Sequence, residues 1–273
     1  MILRPLLVTM LMALAGPAAA QDILQRADQK LHYEDCLRLA ASNPAAALGY
    51  AVKWAGSQGG VPAQHCQAVA LVSLKRYGEG AAKLDALGRA PDMGALRASL
   101  FDQAGNAWLL AHDAPHAVAS FQAALALSGN DPDLYADLAR AQALTKDWRQ
   151  VEAEMNAALA IMPKRPDLLV LRASARHALG NKSGARNDIA AALSLKANYP
   201  EALVERAELD REAGDALGAR SDYQNALKAG AGGQTADAAR RGLAALDQAK
   251  AAPVAAAPVK PAAKARPATP PKR

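Results

Sequence analysis

The chain has 273 residues, 51% of them hydrophobic, 4% aromatic and 21% charged, with a formal charge of +6 and two cysteines. Arg4 and the five cations after residue 251 account for all of that surplus, so residues 21–250 are close to neutral. A neutral body argues against a nucleic-acid-binding domain, whose basic patch sits on the fold itself, and no nucleic-acid partner is expected.

At the N-terminus, MILRPLLVTMLMALAGPAAA places one cation, Arg4, before the apolar stretch Leu6–Ala15. Gly16 and Pro17 break the helix, and Ala18 to Ala20 are the small residues that precede a cleavage site at Gln21. This order of regions is that of a secretory signal peptide over residues 1–20. An uncleaved anchor is the alternative, but the apolar run falls short of the about 18–20 residues that span a bilayer. The reading predicts an exported chain, periplasmic, with secretion as the alternative. No cysteine closely follows the leader, so a lipid-anchored start is not expected. Cys36 and Cys66 are an even pair in an oxidising compartment, which suggests a disulfide rather than a metal or redox site.

Residues 33–60 read as a shortened helix pair broken at Asn43-Pro44. Residues 61–91 read as a second pair with its turn at Tyr77-Gly78, with Gly80, Leu84 and Leu87 on the second helix. From residue 98 the register becomes strict. AVASFQAALAL at 117–127 returns as VEAEMNAALAI at 151–161, ARNDIAAALSL at 185–195 and ARSDYQNALKA at 219–229, a period of 34. Such periods mean stacked repeats. Gly105, Ala139, Ala173 and Ala207 supply small residues on the first helix of each unit, and Ala117, Val151, Ala185 and Ala219 do so on the second. Phe121, Met155, Ile189 and Tyr223 follow four positions on, and Ala124, Ala158, Ala192 and Ala226 three further, spacings that share one helix face. Pro132, Pro166 and Pro200 open three units, each followed by an acid, which suits a helix start. Asp113, Asp147, Gly180-Asn181 and Gly214-Asp215 mark the turns between the two helices. No stretch alternates with period 2, so no sheet is expected.

Helix pairs repeating every 34 residues, with these small and bulky positions, resemble the tetratricopeptide repeat family. The first-helix aromatic signature of that family is best kept in FDQAGNAW, with Phe101, Gly105 and Trp108; the later units place Gln142, Arg176 and Asp210 where Trp108 stands. The resemblance implies an all-α, right-handed superhelical solenoid of antiparallel helix pairs. The expected plan is a signal peptide over 1–20, atypical N-terminal helical repeats over 21–97, four 34-residue repeats over 98–233, a capping helix over 234–250 with Leu243 and Leu246 inward, and a disordered Pro/Ala/Lys tail over 251–273. First helices of adjacent repeats lie side by side, which would bring Cys36 near Cys66.

Among the five histidines, HDAPH brings His112 and His116 close, but Pro115 and a turn lie between them, so a solvated turn is preferred over a metal site. There is no H-E-x-x-H, no glycine-rich phosphate loop after a strand and no G-x-S-x-G. Trp54, Trp108 and Trp148 read as packing residues. No catalytic residue, cofactor or metal is expected, and the chain is not expected to be an enzyme. What remains is surface: by helical phase Asp102, Asn106, Arg140, Ser174, His177, Glu208 and Arg211 should face a concave groove. Some members of the family clamp a carboxylate there with cations and asparagines; here Asp102 precedes Asn106 where a cation would be wanted. The expected function is a protein-interaction scaffold of the cell envelope that holds a protein or peptide in the groove. The alternative is an accessory subunit of envelope biogenesis tethered to anionic polymer or lipid by the basic tail. Oligomeric state is not readable from the sequence.

Overall fold

The computed structural model describes residues 17–251. The tail beyond Ala251 and residues 1–16 of the leader lie outside these residues. The described residues form thirteen α-helices and one 3-10 turn, with no strand. The helices are α1 (Pro17–Ser42), α2 (Pro44–Ala55), α3 (Gly60–Ser73), α4 (Tyr77–Arg89), α5 (Leu96–Leu110), α6 (Ala114–Ser128), α7 (Pro132–Leu144), α8 (Trp148–Ile161), α9 (Pro166–Ala178), α10 (Lys182–Leu195), α11 (Pro200–Glu212), α12 (Ala216–Lys228) and α13 (Gly233–Ala251), with the 3-10 turn at Pro91–Met93. They form two compact units that part between Leu195 and Lys196. The 34-residue period runs through that boundary.

In the first unit, α1 to α10 pack as successive antiparallel neighbours. The chain starts and stops its helices with local chemistry. Pro132 and Pro166 stand in the first turns of α7 and α9, where the missing N–H costs nothing. Asp131 accepts from the N–H of Asp133 at 2.9 Å and Asp113 from that of His116 at 3.2 Å. Asn43 caps α2 through Ala46 N–H, and Asn181 holds Gly184 N–H at 2.9 Å at the start of α10. Asp147 differs from its counterparts: its side chain makes no capping bond. The turn expected at Tyr77-Gly78 lies one step earlier, at Leu74 to Arg76, because Tyr77 already opens α4. Helix α1 begins at Pro17 and runs through Ala20 and Gln21 without a break.

Side-chain size drives the packing. Ala117, Phe121, Ala124, Val151, Met155, Ala158, Ala185, Ile189 and Ala192 are all buried to within 1%. Gly105 lies under the Phe121 ring, where a Cβ would stand 2.7 Å from Cε1. At one repeat position the first helix reaches back with a polar side chain to the second helix of the preceding pair. Trp108 Nε1 donates to Asp85 at 2.9 Å, and Arg176 Nε donates to Glu152 at 2.8 Å. Gln142 occupies the same repeat position on α7, but the residue 24 before it is Val118, and its buried Oε1 has no partner. Cys36 and Cys66 form a disulfide between α1 and α3, closing a sequence separation of 30 with the Cα atoms 6.2 Å apart. Both cysteines are fully buried beside Ala51.

The second unit holds α11, α12 and α13. Asp215 caps α12 through Gly218 N–H at 2.9 Å. Leu246 of α13 is buried and Leu243 half-buried, so both turn inward as expected. Gly242 sits against the Tyr223 ring, so α13 packs directly on the bulky residue of α12.

Candidate interaction face

Helices α1, α3 and α5 carry a hydrogen-bonded row on one face of the first unit. The Tyr33 hydroxyl meets His65 Nδ1 at 2.8 Å, and His65 Nε2 meets Gln103 Oε1 at 2.8 Å. A neutral imidazole with its proton on Nε2 satisfies both bonds: it donates to Gln103 and accepts from Tyr33. Burial pushes the Tyr33 phenol above its ordinary range, so it stays a donor. Ser99 Oγ accepts from Gln103 Nε2 at 3.2 Å and fixes the amide. Beside the row lies a cleft of 510 Å³, walled by Val61, Pro62, Leu96 and Leu100 and edged by Arg26 and Lys30. Apolar walls with a few placed polar groups are what a binding cleft needs.

The next first helix, α7, continues the face with charge. Asp137 lies 34 residues beyond Gln103. Asp102 and Asp137 are both half-buried. Loss of water raises both carboxyls above the usual range. Repulsion from Asp137 and Asp131 adds to the rise at Asp102, while Arg140 opposes it at Asp137.

The seven residues assigned from the repeat phase are distributed over three first helices of this unit and one of the second. Asn106 Nδ2 donates to Asp102 Oδ1 at 3.0 Å, so these two are brought together on α5. Arg140, exposed on α7, pairs with Asp137 of its own helix. Ser174 and His177 lie half-buried on α9, and neither is without a partner. In the second unit Arg211 Nη2 donates to Glu208 Oε2 at 2.6 Å, and Tyr223 donates to Glu208 Oε1 at 2.6 Å. Each guanidinium of the two arginines therefore already holds a carboxylate. Exposed ion pairs of this kind are worth about 0–1 kcal/mol. Sequence reasoning missed Tyr33, His65 and Gln103. Their spacings, 32 and 38, depart from 34, so no repeat alignment brings them together. It also missed a cleft of 340 Å³ between α1 and α2, where His32 meets the Tyr50 hydroxyl and the Trp54 ring. Of HDAPH, His116 stacks on Trp108 with centroids 4.7 Å apart and binds Asp113, while His112 is exposed in the turn.

Antiparallel helix pairs, stacked at a period of 34 with an alanine and a bulky residue at matched positions, match solved structures. The fold is that of tetratricopeptide repeat proteins. A tetratricopeptide repeat protein from Parabacteroides merdae is similar at a TM-score of 0.57 and 15% identity, over 84% of this chain and 92% of that one. TTC0263, a tetratricopeptide protein of Thermus thermophilus, is similar at 0.51 and 18% identity, over 67% and 97%. MamA from Desulfovibrio magneticus is similar at 0.53 and 16% identity, over 62% and 94%. No family model matches the sequence, and no curated protein matches it.

Proposed function

We propose that the protein is an exported, non-catalytic scaffold that holds an extended segment of a partner protein along the first-helix face of α1, α3 and α5. The observation that carries this reading is the Tyr33–His65–Gln103 row beside the 510 Å³ cleft. The row offers polar atoms at intervals set by the helix spacing, and the cleft accepts an apolar side chain beside it. The tetratricopeptide-like fold supports the reading, since stacked helix pairs present an extended binding surface. The groove assigned from the repeat phase extends it: Asn106 and Arg140 lie on the next stretch of first helices, α5 and α7.

Export rests on the leader-like residues 1–20, and a periplasmic location follows from them. The Cys36–Cys66 disulfide supports an oxidising compartment. The acid-free tail, with five cations, favours a second reading in which it tethers the protein to anionic envelope polymer or lipid. N-terminal sequencing of the protein purified from its native cells tests the leader, with Gln21 as the expected first residue. The groove is tested by capture from envelope extract with wild type, with Tyr33→Ala/Gln103→Ala, and with Asn106→Ala/Arg140→Ala. Loss of one specific partner by both folded double variants is expected. Full recovery by both would move binding to another face.

A further inference from the structure

Packing changes character at the N-terminal end of the first unit. In each strict repeat the second helix buries one bulky side chain completely, Phe121, Met155 and Ile189 in this unit. A large group seated in a hollow, as the Phe121 ring is against Gly105, stops one helix sliding along the next. Where α1 meets α2 and α3, the buried residues are instead alanines and the two cysteines. Cys36, Ala51 and Cys66 form one cluster, and Ala40, Ala47 and Ala70 the next. The larger side chains there, such as Leu37 and Tyr50, are only partly buried. Methyl-sized contacts remove little area from water and set the register between two helices weakly.

The part of α1 that carries the row is held by less still. From residue 25 to residue 35 nothing is buried, and Leu31 is 61% exposed. Its attachments are polar: Tyr33 to His65, Gln29 Nε2 to the Gln58 carbonyl at 3.3 Å, and His32 to the Tyr50 hydroxyl. Such bonds add little net stability, because water competes for both partners. Yet Arg26, Gln29, Lys30 and Tyr33, which line the 510 Å³ cleft, all belong to this part of α1. The disulfide adjoins the first bond of the row on both helices. Cys36 follows Tyr33 by about one helical turn on α1, and Cys66 directly follows His65 on α3.

We propose that the Cys36–Cys66 disulfide positions the binding face. It takes the place of the bulky residue that this junction lacks and fixes the register of α1 on α3. In that register the Tyr33 hydroxyl reaches His65, and α1 lines the cleft that Leu96 and Leu100 wall. The proposal rests on the reading of this face as the partner-binding surface. It gives the covalent link a role at the site besides the stability it adds through the unfolded chain.

The experiment is carbethoxylation of the full chain by diethyl pyrocarbonate, with the rate at each histidine read by mass spectrometry. The reagent attacks an imidazole nitrogen whose lone pair is free. In the row His65 offers none, since Nδ1 accepts from Tyr33 and Nε2 carries its proton to Gln103. Tyr33→Phe keeps the disulfide but frees Nδ1, and should speed His65 about tenfold through local opening of the row. Cys36→Ala/Cys66→Ala should speed His65 by a similar factor, with His177 on α9 changed less than about twofold. Arg206→Ala weakens the second unit by stranding Asp222, and should leave His65 at the wild-type rate. A disulfide that gave stability alone would leave His65 shielded in the folded cysteine variant, so an unchanged rate there overturns the proposal. An unchanged rate in Tyr33→Phe overturns it too, since the row would then not be what shields His65. Equal acceleration at His177, or of His65 in Arg206→Ala, would be general loosening and overturns it as well. If circular dichroism shows the cysteine variant unfolded, trimethylamine N-oxide, which favours the compact state, is added to every sample. The rates need no partner, so they decide the positioning even where capture fails and the binding reading falls.

Discussion

Gly105 and Asp102 show how single residues are held by opposed effects. A methyl group on Gly105 would stand 2.7 Å from the Phe121 ring, which is wedged between helices and has no free end to move. Alanine is favoured over glycine inside a helix by about 1 kcal/mol, but overpacking costs about 1–3 kcal/mol. Gly105→Ala is therefore expected to lower the urea midpoint, and a raised midpoint would mean that Phe121 can move aside. Asp102 is raised by lost hydration and by Asp137 and Asp131. A carboxyl raised on folding favours the native state while it is protonated, and that advantage is lost as pH rises through its native value. At pH 7 its charge is thus a penalty. Asp102→Asn should melt higher than wild type at pH 7, and the gap should shrink as pH falls toward about 4, the ordinary aspartate range. Thermal melts across that range check the sign; a gap that widens in acid would contradict it.

Between elements, ion pairs of equal appearance differ in weight because their surroundings differ. Arg172 grips Asp188 through two bonds at 2.9 and 2.7 Å, and Arg176 adds a third at 2.8 Å. Asp188 is only 5% exposed, so those arginines replace the hydrogen bonds that water would make. The same pair returns 34 residues later as Arg206 and Asp222, clasping α11 to α12 in the second unit. Removing one partner of a buried pair costs about 3–5 kcal/mol because the other is stranded. Arg172→Ala/Arg176→Ala should therefore approach that loss, whereas Arg211→Ala, at an exposed pair on one helix, should cost under about 1 kcal/mol. Chemical denaturation of the two variants compares them directly, and similar losses would show that Asp188 finds other solvation. The disulfide works through the unfolded chain instead. Closing a loop of about 30 residues is worth about 3–4 kcal/mol in the chain-entropy model, so Cys36→Ala/Cys66→Ala should lose up to that amount.

At the scale of the whole chain, stability in a stack of repeats is a sum of local terms with nearest-neighbour coupling. The disulfide joins α1 to α3, so its loss should be felt there first. Hydrogen exchange on reduced protein is expected to show lower protection in α1 to α3 and unchanged protection in α11 to α13. Uniform loss along the chain would instead mean a single cooperative unit.

What the sequence determined by itself was local. The 34-residue period, the alanine and bulky positions, the prolines that open helices and the caps at Asp113, Asn181 and Asp215 all act within a few residues or one repeat, so they are written in consecutive positions. The paired cysteines belonged to the same reading. Tertiary structure decided which side chains of different pairs meet. Tyr33, His65 and Gln103 form one row because the first three first helices are offset by 32 and 38 residues, and that offset is set by how α1 to α4 pack, not by the repeat. Likewise helical phase gives the faces of α9 and α10, but only the packed structure closes Arg172 and Arg176 of one onto Asp188 of the other. A helix face follows from periodicity; the partner across it depends on distances between elements that no single stretch of chain specifies.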